Sequence, residues 1–196
     1  MHIFPSAFFP SIAYTKAVYA VNNPRHDLHE HFIKQSIRSR AEILSANGIL
    51  ALSVPIIHEA TKMPLHAIQI DYTTRWQQDH WRAIQSAYAH APFFDDYKDA
   101  VQEIYRTQPR FLHELNSLTW KWIEGVLHQP IEWALCEVFS GQCDTSKKAF
   151  LTREDMPWYQ QVFGYEAAFV PNLSMLDLIF NMGPFARNWV LPNDQK

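Results

Sequence analysis

Two apolar, β-branched runs, Ile37–Leu44 and Ile49–Ile57, flank the dipeptide Asn47-Gly48. An Asn-Gly step readily supplies the positive φ of a tight hairpin, so the runs are predicted to pair antiparallel about it. A chain committed to that pairing cannot be an all-helical bundle. Residues 28–57 as a whole read as sheet, with His2–Phe4 and the alternating stretch Ala67–Tyr72 as further strands and Ile131–Phe139 as another.

The rest of the chain changes period. Trp76, His80, Ala83 and Ala87 recur at helical spacing, with Trp81, Ile84 and Tyr88 beside them, and Pro92 sets the end of that helix. Helices are predicted over about Asp95–Tyr105 and Arg110–Leu127, and over Ile12–Val21 behind Ser11 as N-cap. Ser174 to Asp177 has the spacing of a capping box, in which the Asp177 carboxylate accepts from the Ser174 N–H, and Asn181 to Pro184 closes the apolar helix that it opens. The expected fold is α/β: a mixed β-sheet from the N-terminal third, including the hairpin at Asn47-Gly48, packed with helices mostly from residues 76–190.

With 196 residues, 47% of them hydrophobic, and only five glycines, the chain is expected to form a single domain over residues 1–196 with a core of its own. Seven Trp exclude a disordered linker, and a formal net charge of −3 lacks the global positive field of a non-specific nucleic-acid binder. No run approaches the roughly 18 apolar residues of a membrane span, and MHIFPSAFFP lacks the pattern of an export signal, so a cytoplasmic protein is expected. Cys136 and Cys143 are too few for a disulfide framework and read as reduced thiols.

Three groups of residues could carry chemistry. If residues 30–42 are extended, the period of two puts Glu30, Lys34, Ser36, Arg38, Arg40 and Glu42 on one face. Three cations within seven residues then form a cradle for a phosphate or carboxylate, or else the solvated face of an edge strand. His80, on the aromatic stripe, is either an acid–base group or a hydrogen-bonded core histidine, and Asp177 is either a functional carboxylate or the capping residue. His26, His29, Glu30 and His31 fit no established metal spacing, so no metal is assigned. There is no P-loop, no G-x-G-x-x-G and no G-x-S-x-G, and no cofactor can be named.

FFPSIAY (8–14), FIKQSIRSRAEILSANGILALSVPI (32–56), DHWRAIQSAYAHAPFFDDY (79–97) and WYQQVFGYEAAFVPNLSMLDLIFNMGP (158–184) together resemble the WbqC-like protein family, bacterial proteins associated with surface-polysaccharide (O-antigen) functions. The family's pattern is matched at Lys34, Gln35, Ser36, Arg38 and Arg40, and at Pro171, Asn172, Leu173, Ser174, Asp177, Asn181, Gly183 and Pro184. Ile33, Ile37 and Ser39 depart from it, where a polar residue, Tyr and Asn are usual. The resemblance implies a transferase moving an acyl, aminoacyl or sugar-derived group on a phosphorylated or nucleotide-activated sugar. Lys34, Gln35, Ser36, Arg38, Arg40, Asn172 and Asn181 would then bind the anionic substrate, and His80 or Asp177 would move a proton. The competing reading is a non-catalytic partner that organises polysaccharide enzymes and exposes an aromatic patch.

Overall fold

The structure, a computed structural model, describes residues 2–57, 63–136, 156–163 and 169–192. Strand β1 (Ile3–Phe4) ends at Pro5, and the Phe8-Phe9-Pro10 stop leads into helix α1 (Ile12–Tyr19). Ser11 caps it as predicted, its hydroxyl accepting from the Tyr14 N–H. Strand β2 (Arg25–His26) lies parallel to β1 and to β5 (Ala134–Leu135), giving the order β1-β2-β5. Each of these strands has two residues, too short for any hydrophobic period, which is why the sequence does not announce β2. The expected strand over Ile131–Phe139 shortens to β5, with 137–139 outside the described residues. Cys143 also lies outside them, and Cys136 is a free thiol.

The hairpin forms as expected from β3 (Arg40–Ser45) and β4 (Gly48–Ser53), with Ser45 opposite Gly48. Gly48 carries φ +98°, the conformation for which a glycine is needed at this turn. The sheet does not extend through residues 28–39. The 28–32 stretch does run beside 63–66, with Leu65 donating to the Glu30 carbonyl at 2.9 Å and Phe32 to that of Met63 at 3.2 Å. His31 and Pro64 form the non-hydrogen-bonded pair between these two bonds, so the proline's missing N–H costs the ladder nothing there, and the pairing ends at Phe32. Beyond it the Ser36 hydroxyl donates to the Ile33 carbonyl at 2.6 Å and Gln35 turns left-handed, so residues 34–39 are turns. Ala67–Tyr72 also fails to form a strand. It follows a 3-10 turn (Leu65–Ala67) and makes only single bridges, one of them to Phe111 where the partner segment becomes helix.

Helices α2 (Trp76–Tyr88), α3 (Phe94–Arg106) and α4 (Leu112–Leu127) fall close to their predicted bounds. Trp76, His80, Ile84, Ala87 and Tyr88 form the buried stripe of α2. Helix α5 (Met175–Met182) is buried on nearly every side, and the short helix α6 (Arg187–Val190) follows a 3-10 turn. The main core joins α5, the inner faces of α2, α3 and α4, and the hairpin residues Ala41, Ile43 and Leu52. Trp76, Trp120 and Trp122 are buried, so these rings are core rather than surface platforms. Among the described residues no helix is long and apolar enough to cross a membrane.

Candidate functional site

Helices α1 and α5 meet head to head at their N-caps. Ser11 and Ser174 form an antiparallel bridge, in which the Ile12 N–H donates to the Leu173 carbonyl at 3.0 Å and the Met175 N–H to the Pro10 carbonyl at 2.8 Å. The start of β3 closes the space beside them. The result is a cavity of about 200 Å³ walled by Ser11, Gln35, Arg40, Glu42 and Asn172 over an apolar base that includes Phe9. Arg40 and Glu42, two apart on β3, point to the same side.

The helix N-termini offer this cavity little directly. The Ala13 N–H is taken by Asn172 Oδ1 at 2.8 Å, that of Tyr14 by Ser11 Oγ at 3.3 Å, and that of Leu176 by Ser174 Oγ at 3.2 Å. Donors that an anion would use at a helix start are therefore already satisfied. Recognition falls to the side chains.

The backbone around the cavity is unusual. Phe9, Gln35 and Asn172 have φ of +36°, +53° and +57°, and all three line it. Asn tolerates this region through its short polar side chain, but a left-handed Phe or Gln costs on the order of 1–3 kcal/mol and persists only where its neighbours dictate it. At Phe9 they do so, since its carbonyl accepts from Ser174 Oγ at 2.9 Å and its N–H donates to Thr119 Oγ1 at 3.4 Å.

A second cavity, of about 240 Å³, adjoins the same turn, with Gln35 and Arg40 common to both. Lys34, Ser53 and Phe32 contribute to its wall. The Arg40 Nε donates to Ser53 Oγ at 3.2 Å, and the guanidinium makes no ion pair among the described residues.

The cation row predicted on one strand face does not exist. Arg38 is 2% exposed and faces inward, its Nε donating to Glu30 Oε1 at 2.8 Å and its Nη2 to Glu30 Oε2. The reason is the turn: without a strand through 34–39 there is no alternation to bring Arg38 out beside Arg40. Arg38 instead anchors the turn that carries Arg40. Its carbonyl accepts from Asn116 Nδ2 at 2.9 Å, and the neighbouring Ile37 carbonyl accepts from the Phe8 N–H at 2.9 Å. Ser36 is buried and gives its hydroxyl to Ile33, with a longer contact from Arg38 Nη1.

Lys34, Gln35, Ser36, Arg40 and Asn172 thus gather at the two cavities, whereas His80, Asp177 and Asn181 line neither. His80 stands among Phe8, Trp76 and Tyr105, where burial pushes its pKa down to about 4 against a hydrogen bond with the Ser53 backbone. Asp177 does not form the predicted capping box, because the Ser174 N–H donates to the Glu42 carbonyl at 2.8 Å instead. Its carboxylate turns into the core, accepting from Tyr159 Oη at 2.6 Å, Tyr88 Oη at 2.9 Å and Gln161 Nε2 at 3.0 Å. Burial raises its pKa, against the three donors. Asn181 Nδ2 donates to the Asp177 carbonyl one turn back, a bond within α5.

The histidines after Pro24 separate: His26 stacks on Trp133 at 3.7 Å between ring centroids, His29 meets His66, and Glu30 belongs to Arg38. Among the described residues no group of three or more His, Cys, Asp or Glu could hold a metal ion. Sequence reasoning gives Glu42 no role beyond its place in the row, and Phe9 none beyond a chain stop.

The family model described as the WbqC-like protein family matches residues 6–151. That span includes Lys34 to Glu42 and His80 and stops short of 158–184, so Asn172 and Asp177 lie beyond it. No curated protein and no solved structure matches the chain.

Proposed function

The chain belongs to the WbqC-like protein family, and from that premise we propose that it is a transferase of bacterial surface-polysaccharide (O-antigen type) biosynthesis that binds a phosphorylated or nucleotide-activated sugar. Arg40 is the anion-binding residue of this reading, with Lys34, Gln35 and Asn172 around it. The observation that carries it is the setting of Arg40. A guanidinium with no carboxylate partner among the described residues stands in the wall of a cavity that three left-handed residues line. Guanidinium groups grip phosphate through paired N–H donors, and strained backbone concentrates where a ligand is clasped. Arg38 takes a positioning role through Glu30, and His80 and Asp177 are positioning residues too, the first behind Ser53 and the second between α5 and the 156–163 segment.

Thermal-shift and calorimetric titration of the full chain with nucleotides and nucleotide-sugars tests this reading. A phosphorylated ligand is expected to raise the melting temperature by mass action, and Arg40→Ala to abolish the rise without lowering the unliganded melting point. A shift that survives Arg40→Ala, or a flat screen with a protein that co-purifies in fixed proportion, favours the scaffold reading instead. Of the Trp side chains, Trp158, at 47% exposed, is the one that a scaffold surface could use.

A further inference from the structure

The two cavities beside Arg40 differ in charge more than in size. The outer one is lined by Lys34 and Arg40 with no carboxylate among its described residues, whereas the inner one sets Glu42 beside Arg40 on the same strand face. We propose that they are two subsites for one ligand. The outer cavity takes a phosphoryl group between Lys34 and Arg40, and the inner cavity takes an amine- or hydroxyl-bearing ring against Glu42. This deepens the reading of the site as one for a phosphorylated sugar and depends on it.

Charge fixes the direction. A phosphate placed in the inner cavity would meet the Glu42 carboxylate across a small, half-buried space, where opposed charges attract and like charges repel far more than in water. An amine or hydroxyl there donates to the same carboxylate. In the outer cavity two cations face an anion with no acid among the described lining residues to offset them, and Ser53 Oγ holds Arg40 Nε at 3.2 Å, orienting the guanidinium.

Size makes the same argument. At about 200 and 240 Å³ each cavity is smaller than the roughly 300 Å³ of a self-sufficient small-molecule site, while the two together fall within that range. Gln35 and Arg40 form the wall between them, so a ligand occupying both must pass these side chains. The left-handed φ of Gln35 places its exposed side chain at that boundary.

Isothermal titration of the full chain with inorganic pyrophosphate, glucosamine and glucosamine phosphate separates the ends. Lys34→Ala is expected to weaken pyrophosphate by about tenfold and leave glucosamine unchanged, and Glu42→Gln to do the reverse, since each removes one charge-assisted contact. Glucosamine phosphate should bind more tightly than either half because one tether joins them. Unfolding midpoints of both variants equal to wild type exclude a folding defect. Lys34→Ala and Glu42→Gln affecting both probes alike, or pyrophosphate losing affinity in Glu42→Gln alone, overturns the division. If a nucleotide-sugar binds in an Arg40-dependent way while both variants are silent, only the division falls. If neither pyrophosphate nor any nucleotide-sugar binds, the reading of the site falls with it.

Discussion

Arg38 and Glu30 hold one another in a buried two-pronged ion pair, with Nε donating to Oε1 at 2.8 Å and Nη2 to Oε2. The pair ties the 34–39 turn to the segment that runs beside residues 63–66, and so fixes where β3 begins. Removing one partner leaves an uncompensated charge in the interior. Arg38→Ala or Glu30→Ala is therefore expected to lower stability by about 3–5 kcal/mol in urea unfolding, whereas replacing both by Met should recover most of the loss. Equal losses in the single and double variants would show that packing, not charge, is what the pair supplies.

Gly183 carries φ +55°, and a Cβ built there would come within 2.5 Å of the Phe93 ring. Its ψ of −133° puts it in a region that other residues avoid. Gly183→Ala should cost about 2 kcal/mol or more, combining backbone strain with the clash. Phe93→Leu gives the methyl room, so the cost of Gly183→Ala in that background should be smaller. Melting temperatures of the four proteins measure the difference, and strictly additive losses would rule out the contact as its cause.

Burial holds the His80 pKa at about 4 and that of His26 at about 3, both below the ordinary imidazole value of 6.5. The unfolded chain then binds more protons than the folded one between these limits, so stability is complete above about pH 6.5 and falls as the pH drops toward 4 and 3. For His80 the loss over that window is on the order of 3 kcal/mol. His80→Phe or His26→Phe should flatten the acid limb of the stability curve, and an unchanged limb would place its cause elsewhere. Asp177 works in the opposite sense. Its pKa is raised by burial, so its contribution is full at low pH and is lost as the pH rises through the raised value, and Asp177→Asn should remove that decline.

The helices were legible because burial along one face leaves a 3.6-residue mark, as at Trp76, His80, Ile84 and Ala87, and the hairpin because its turn needs particular chemistry. Residues 34–39 misled for the converse reason. Their alternation looks extended, but the chain's path there is decided by groups outside the segment: Phe8, which donates to the Ile37 carbonyl, Asn116, which holds the Arg38 carbonyl, and Glu30, which claims the Arg38 side chain. Asp177 shows the same limit. Its place in the sequence fits a cap, yet Glu42 had already taken the N–H that a cap would use, and Tyr88, Tyr159 and Gln161 waited inside. Arg40, Gln35 and Asn172 were findable as matched motif positions, while the left-handed backbone of Phe9 leaves no trace in composition.

That backbone yields the last prediction. Gln35 holds φ +53° with an exposed side chain, so its strain is not offset by packing of that side chain. Glycine occupies the same conformation without the Cβ penalty, and Gln35→Gly should therefore leave stability unchanged or raise it by up to about 1 kcal/mol. If Gln35 serves as a wall between the cavities, the same variant should weaken binding of a phosphorylated sugar, because the side chain that separates and orients the two ends is gone. A gain in stability paired with a loss in affinity is the signature of a residue kept for its ligand. A loss of stability with affinity intact would instead make Gln35 a structural residue of the turn, and would leave Arg40 to hold the ligand without it.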